Sequence, residues 1–127
     1  MTPRPANLHV DKPWGSFDQF LLNTSCTVKI LTCNPGQRLS LQRHRWRDEL
    51  WVALDPGVVV ERDGLTLTPE PGGEVWLPAG SLHRMSCTPT SGVPVRVLEI
   101  SLGTFDENDI ERLEDQYGRT EPEAGKA

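Results

Sequence analysis

Turn signals recur along this sequence at intervals that leave room for short strands and little else. Asn34-Pro35-Gly36, Asp55-Pro56-Gly57 and Asp63-Gly64 each combine glycine or proline with a short polar residue. Asp63-Gly64 also suits the two-residue turn of a β-hairpin, because both residue types tolerate positive φ angles. Strands that follow one another at spacings of roughly 8–12 residues are typical of a β-sandwich or barrel. We therefore predict an all-β fold.

The segments between these turns have the composition of β-strands. In Cys26–Cys33, for example, the β-branched residues Thr27, Val28 and Ile30 favour a pleated surface. The predicted strands are Ser16–Leu22, Cys26–Cys33, Arg38–His44, Glu49–Leu54, Val58–Arg62, Leu65–Thr68, Glu74–Leu77, Leu82–Cys87 and Val93–Ser101. We expect them to build a single domain over residues 1–127, with an N-terminal arm at 1–10 and the barrel at 11–104.

A helix-like pattern is found only near the C-terminus. Asp106 is placed to cap a helix whose first turn is acidic, and Ile110 and Leu113 lie on one helical face. Gly118 stands where a helix commonly ends. The sequence therefore predicts one short C-terminal helix with an arginine-bearing end within residues 106–119, followed by a frayed tail at 120–127.

Net charge, apolar runs and cysteine content limit the kinds of partner and the cell compartment that we expect for this chain. The chain has 127 residues and a net charge of −5, which argues against a nucleic-acid-binding protein because such proteins are usually basic. It has no apolar run of membrane-spanning length and no signal-peptide core, so we expect no membrane association. Its three cysteines, Cys26, Cys33 and Cys87, are odd in number and lack C-x-x-C pairing. This argues against a disulfide framework and favours the cytoplasm.

Four potential metal ligands fall in two short stretches. Gln42 and His44 share a face of one strand, because successive side chains alternate between faces. The polar run before Glu49 can form a turn that returns this carboxylate to the same side, and a Pro-Ala-Gly turn precedes His83. One amide, two imidazoles and one carboxylate suit Zn²⁺, Mn²⁺, Fe²⁺, Co²⁺ or Ni²⁺. The alternative is that these are ordinary polar residues of a barrel mouth, with Gln42 making only hydrogen bonds.

The sequence motifs resemble those of known proteins, first of a broad class and then of a narrower family. The pattern Gly36-x5-Gln42-x-His44-x4-Glu49, then Gly72-x5-Pro78-x-Gly80-x2-His83, resembles the two cupin motifs. More narrowly, KPWG at 12–15, PGQRLSLQ, Glu49-x-Trp51, LPAGSLHR and the closing NDIERLEDQYGR resemble the type II phosphomannose isomerases. The resemblance runs from about Asp11 to Arg119. In that family the cupin is often joined to a mannose-1-phosphate guanylyltransferase; this chain has no glycine-rich phosphate loop, so we expect no such activity.

The resemblance implies a jelly-roll barrel that binds one divalent metal ion, with Zn²⁺ as the first choice, and interconverts mannose 6-phosphate and fructose 6-phosphate. The metal ligands at matching positions are Gln42, His44, Glu49 and His83. Arg119, in the YGR ending, is a candidate for binding the substrate phosphate, although it is also placed as a helix-end cation. Lys29 matches the family pattern and is a second candidate for this role. The expected partners are a small-molecule sugar phosphate and a second copy of the chain in a homodimer.

The alternation of side chains along the predicted strands indicates further candidates for substrate binding and proton transfer. Arg38 shares a face with Gln42 and His44, so it is a candidate substrate-binding residue. An isomerase also needs a base, and Glu99 shares a face with Val97 on the last predicted strand. If that face is the interior one, desolvation raises the pKa of Glu99 and suits it to proton transfer. The alternative role for Glu99 is that of a structural ion-pair partner.

The pocket rim departs from the family pattern. Arg45 and Trp46 replace a histidine-rich run, and Leu50 stands where a histidine is common. None of these positions is a predicted ligand. The altered rim keeps a second hypothesis open, a non-catalytic or differently specific cupin that binds a small sugar or metabolite. A third, a cupin-type metal oxygenase, fits an open iron site but not the EDQYGR ending.

Overall fold

The computed structural model describes residues 3–119, in which nearly all regular structure is β-strand. The strands are β1 (Leu8–Lys12), β2 (Gly15–Gln19), β3 (Cys26–Cys33), β4 (Leu41–Arg43), β5 (Arg47–Ala53), β6 (Val58–Arg62), β7 (Leu65–Leu67), β8 (Glu74–Leu77), β9 (His83–Cys87), β10 (Val95–Gly103) and β11 (Glu111–Glu114). Among these residues the helical structure is a single 3-10 turn at Pro89–Ser91. No helix within 3–119 has the length and apolarity needed to cross a bilayer. The all-β prediction is confirmed.

Two antiparallel sheets make up the body of the domain, with strand orders β3-β10-β5-β8 and β11-β4-β9-β6-β7. Their inner faces supply one apolar core, in which Trp51 and Val97 of the first sheet pack with Val60 and Met85 of the second. All four side chains are almost completely buried. The alternation of inward and outward residues along each strand produces this face-to-face packing.

The interior between the sheets has an apolar half and a polar half. Along the inner face of β10, Val97 is followed by Glu99 and Ser101. On the neighbouring strand β5, Ala53 lies opposite Val97, and Glu49 lies opposite Ser101. Because the two strands are antiparallel, their polar inner residues meet at the same end of the barrel. Buried polar groups need partners, so this end is where a functional site is expected.

The N-terminal arm predicted at 1–10 is partly a β-strand in the structure. Residues from Leu8 onward form β1, which pairs with β2 in a separate two-stranded hairpin. The hairpin forms because Val10 and Phe17 lie opposite each other, and such cross-strand apolar pairs stabilise antiparallel strands. Arg4 and Asn7, which precede it, both donate to the Glu74 carboxylate of β8. Met1 and Thr2 lie outside the described residues.

The C-terminal helix predicted within 106–119 is wrong. The Asp109 amide closes a turn by donating to the Asp106 carbonyl over 2.9 Å, and β11 then pairs with β4. A short helix gains little from two apolar residues on one face. The β4 edge instead offers backbone hydrogen bonds and an ion pair between Arg43 and Glu111 at 2.9 Å. The predicted tail at 120–127 lies outside the described residues.

The strand predicted at Arg38–His44 is also shorter in the structure. Only Leu41–Arg43 forms a regular strand, and Arg38 makes an isolated bridge with Ser86. The Leu39 amide still donates to the Met85 carbonyl over 2.9 Å, so the segment follows β9 without a continuous ladder. His44 therefore lies just after β4, at the start of the turn that leads into β5.

Candidate metal centre

Three of the predicted ligands converge in the polar half of the interior. Ligand atoms of His44, Glu49 and His83 all lie within 4.8 Å of one another. The Nε2 atoms of His44 and His83 each lie 3.5 Å from a different oxygen of the Glu49 carboxylate. The exposed fraction of each side chain is 4% or less. The cluster is therefore compact, shielded from water and composed of groups that bind divalent metals.

Gln42 lies beside this cluster in the second sheet. It is buried, and its Cα is directly opposite that of His83 in the β4–β9 pair. Residues opposite one another in an antiparallel pair point to the same face. Gln42 therefore faces the interior on the same side as His83, the side on which it is predicted to act as a fourth ligand.

Each imidazole bonds a backbone carbonyl through one nitrogen and directs the other at Glu49, and His44 Nε2 also lies 3.4 Å from Arg47 Nη2. His44 Nδ1 lies 2.7 Å from the Asp109 carbonyl oxygen, and His83 Nδ1 lies 3.2 Å from the Ser81 carbonyl oxygen. A carbonyl only accepts, so each Nδ1 is the donor and each Nε2 carries the lone pair. Among the described residues, the buried His83 Nε2 has no hydrogen-bond partner. A metal ion would satisfy it.

Electrostatics set the protonation states that metal binding requires. Burial lowers the pKa of His44, and the Arg47 guanidinium adds to the effect, so the ring is neutral at neutral pH. Burial would raise the pKa of Glu49, but the His83 and His44 rings in their protonated forms and the Arg47 guanidinium outweigh it and lower this pKa. Arg47 Nε donates to Glu49 over 2.9 Å and Trp51 Nε1 donates over 3.1 Å. The carboxylate is thus ionised and held in place.

These groups fit a divalent ion with mixed nitrogen and oxygen ligands. Neutral imidazole nitrogens and a carboxylate are common ligands of Zn²⁺, and they also suit Mn²⁺, Fe²⁺, Co²⁺ and Ni²⁺. His44, Glu49 and His83 would hold the ion. Gln42 is the predicted fourth ligand.

Glu99 lies in the same polar interior. It is 6% exposed and accepts a hydrogen bond from Ser101 Oγ at 3.3 Å. Trp51 is its partner in the β10–β5 pair, so Glu99 is a diagonal neighbour of Glu49, at a Cα separation of about 7–8 Å. Burial raises the pKa of Glu99 to about 7, and the negative charge of Glu49 contributes. The predicted burial and the direction of this pKa shift agree with the structure.

The three cations predicted to bind substrate lie at different depths. Lys29 is opposite Glu99 in the β3–β10 pair, and its half-buried ammonium donates to Glu107 over 2.7 Å. Arg38 and Arg119 are exposed and line a separate hollow of about 150 Å³. Arg119 forms an ion pair with Asp115 at 2.9 Å. The structure therefore brings Lys29 next to the predicted base, whereas Arg38 and Arg119 lie together at the surface.

Three residues of the site were missed by the sequence analysis. Arg47 shares an inner strand face with Glu49 and Trp51, and this two-residue spacing was a usable signal. Arg112 is buried opposite Gln42 in the β11–β4 pair. It was not predicted as a site residue, because this segment was predicted to be a helix. Asp109, whose carbonyl accepts from His44, was assigned to the first turn of that helix. No local pattern identifies the last two.

A hollow of about 470 Å³ lies on the outer side of the cluster. Of the three cluster residues, His44 alone lines it, together with residues of the β4 end and of the loop before β11. Arg43 and Arg45 border it on one side, and Asp109 and Glu111 on the other. The hollow therefore borders His44, and Glu99 does not line it.

Solved structures with the same architecture show which fold the chain has. The capsular polysaccharide assembling protein CapF from Staphylococcus aureus matches with a TM-score of 0.63 and 18% identity, over 86% of this chain and 34% of that one. A cupin protein from Bacteroides fragilis matches with a TM-score of 0.54 and 13% identity, over 66% of this chain and 80% of that one. The chain has the cupin fold.

Within the cupins, sequence comparison assigns the chain to one family. Residues 4–115 match the family described as "Mannose-6-phosphate isomerase C-terminal", and the chain belongs to it. The alginate biosynthesis protein AlgA of Pseudomonas aeruginosa is 38% identical over 112 residues, which cover 87% of this chain and 23% of AlgA. Mannose-1-phosphate guanylyltransferase of Escherichia coli is 32% identical, with coverage of 87% and 23%. The chain thus spans about a quarter of the length of these relatives.

Proposed function

We propose that this chain is a metal-dependent aldose–ketose isomerase that interconverts mannose 6-phosphate and fructose 6-phosphate. One observation carries the proposal. The buried His44–Glu49–His83 cluster shares its interior with Glu99, a carboxyl whose pKa is about 7. A metal centre and an adjacent acid–base group are the two components that such an isomerisation needs. Membership of the mannose-6-phosphate isomerase C-terminal family supports the choice of substrate.

The reaction moves one proton between neighbouring carbons of the open-chain sugar. A bound divalent ion would polarise the carbonyl and stabilise the negative charge that develops on its oxygen. The Glu99 carboxylate takes the proton from C2 of the aldose to give an enediol, and the protonated carboxyl then returns it to C1. A second proton moves from the C2 hydroxyl to the C1 oxygen, so the ketose forms without net gain or loss of protons. A pKa of about 7 allows Glu99 to serve in both directions near neutral pH.

Glu99 is suited to this role by its surroundings as well as by its pKa. Lys29 lies opposite it on β3, and Ser101 Oγ donates to it over 3.3 Å. The Lys29 and Arg47 cations both lie against the Phe105 ring, at 4.2 and 4.4 Å from its centroid. Phe105 therefore packs against two cations whose charges act on Glu99.

The phosphate end of the substrate requires cationic groups at a distance from the metal. Arg112 is two strands away from His83 along the row Arg112–Gln42–His83, which corresponds to about 9–10 Å between Cα atoms. Its guanidinium is suited to paired hydrogen bonds with a phosphate group. We therefore add Arg112 to Lys29, Arg38 and Arg119 as a candidate phosphate-binding residue.

A coupled assay for fructose 6-phosphate formed from mannose 6-phosphate tests the proposal. The chain is stripped with a chelator and then reloaded separately with Zn²⁺, Mn²⁺ or Co²⁺. We expect turnover to disappear on stripping and to return on reloading. His83→Ala should lower metal content and abolish turnover, whereas Glu99→Gln should abolish turnover with full metal content.

His9 provides the matched control. It is half-exposed on the N-terminal hairpin and hydrogen-bonded to Asp18 at 2.9 Å, away from the cluster. His9→Ala should therefore keep both metal and turnover. A metal-loaded wild-type chain that binds mannose 6-phosphate without turnover would reject the isomerase proposal and favour the binding function. Obligatory uptake of O₂ would instead favour an oxygenase.

A further inference from the structure

The segment between β10 and β11 is attached to the turn that carries His44. At its start, the Gly103 φ angle is 99°, and a Cβ at this position would lie 2.8 Å from the Trp46 carbonyl oxygen. Further along, the Asp106 carbonyl accepts a hydrogen bond from Arg47 Nη1 at 3.2 Å. The segment therefore runs in close contact with the turn at 44–46, which connects β4 to β5, and with the first residue of β5.

Asp109 makes the most direct connection between the two segments. Its carboxylate accepts hydrogen bonds from the backbone amides of Arg45 and Trp46, one at each oxygen and both at 2.8 Å. These are the two residues that follow His44. Hydrogen bonds from backbone amides to an ionised carboxylate are among the stronger kinds. The backbone immediately after His44 is thus fixed from outside the sheet by one side chain.

The backbone of Asp109 acts on the ring of the same histidine. Its carbonyl oxygen lies 2.7 Å from His44 Nδ1, which places Nε2 towards Glu49. The carbonyl itself is oriented by the turn that the Asp109 amide closes with the Asp106 carbonyl at 2.9 Å. Asp109 therefore holds both the backbone after His44 and the His44 ring, which Gly80 and Arg47 also contact through the His44 carbonyl and Nε2.

We propose that Asp109 is a positioning residue for the metal centre. Its carboxylate holds the turn after His44, and its carbonyl holds the imidazole with Nε2 directed at the metal site. The proposal rests on the metal centre of the proposed function, but it does not depend on the isomerase reaction. Groups that orient metal-binding histidines typically change metal affinity by about 10–100-fold when they are removed.

The test is metal binding by the full chain, measured by competition with a chromophoric chelator for Zn²⁺ and by the visible absorption of bound Co²⁺. Asp109→Ala should weaken Zn²⁺ binding by about 10–100-fold and change the Co²⁺ spectrum, since His44 is no longer held. Asp109→Asn keeps one carbonyl-type acceptor and should weaken binding less. This near-isosteric variant retains the test if the alanine variant is poorly folded.

Asp106→Ala is the matched control. The Asp106 carboxylate also accepts a hydrogen bond from a backbone amide in the same segment, that of Asn108 at 2.9 Å, but this carboxylate does not hold residues 44–46. This variant should keep wild-type affinity and spectrum. Wild-type binding by Asp109→Ala, or equal weakening by Asp106→Ala, would overturn the proposal. So would failure of the wild-type chain to bind either ion, whereas metal binding without turnover would refute only the isomerase function.

Discussion

At the scale of single residues, the proposed base Glu99 is also predicted to lower the stability of the folded chain at neutral pH. Its ordinary pKa is 4.5, and burial followed by the charge of Glu49 raises it to about 7 in the folded chain. Between these values the folded state binds more protons than the unfolded state. The free energy of unfolding therefore falls as the pH rises through this window, and the full loss is present above the folded pKa.

Glu99→Gln should remove this pH dependence. The test compares the urea concentration at the unfolding midpoint of the two metal-free proteins. As the pH is raised from about 5 to about 8, this midpoint should decrease in the wild type relative to Glu99→Gln. The remaining titratable groups are common to both chains, so the difference between them reports Glu99. Parallel pH profiles for the two proteins would show that the Glu99 pKa is not raised, and would remove the basis for its role as the base.

The residues of the metal centre also show what the sequence predicts well. The positions of the candidate ligands follow from the alternation of side chains along short strands and from the turns before Glu49 and His83. Their spacing in the sequence therefore predicts that the three residues of the cluster come together. Arg47 was missed because it was assigned to a turn, although it begins β5 on the same face as Glu49. Asp109 was missed for a different reason. Its contacts are all long-range, and no local pattern encodes them.

At the scale of elements, the β11 strand is the main difference between prediction and structure. Helix propensity over 106–119 is local, whereas the pairing of β11 with β4 depends on residues far away in the sequence. The consequence for function is that a strand alternates its side chains. Arg112 turns inward opposite Gln42, while Glu111 turns outward to Arg43.

This alternation predicts that substitutions of two nearby arginines, Arg112 and Arg43, differ in their effect on the KM for mannose 6-phosphate. Arg112→Met should raise the KM for mannose 6-phosphate by about tenfold or more, because a charge-assisted hydrogen bond to the phosphate is worth about 1.5–3 kcal/mol. Metal content should not change. Arg43→Met removes the same charge from the outer face of the paired strand and should leave the KM unchanged. An unchanged KM for Arg112→Met would exclude Arg112 from the phosphate site.

At the scale of the whole molecule, the β3 edge and the N-terminal hairpin form an exposed, partly apolar surface. Among residues 3–119, β3 pairs with β10 alone, so one edge of its sheet is open. Its outward side chains Val28 and Ile30 are 54% and 56% exposed. Phe17 of the hairpin and Val28 also line a hollow of about 400 Å³. Adjacent exposed apolar residues beside an open strand edge are features of a protein–protein contact surface.

We expect this surface to join two copies of the chain, consistent with the predicted homodimer. A two-fold contact would bring the β3 edges or the hairpins of both copies together and bury Val28 and Ile30. Light scattering should then give twice the chain mass of 14.2 kDa for the wild type, and Val28→Lys/Ile30→Lys should give the single-chain mass with an unchanged fold. Leu65→Lys is the control, since Leu65 is 59% exposed on β7 of the other sheet and should leave the dimer intact. A wild-type chain that is monomeric throughout, or a double variant that remains dimeric, would rule out this surface.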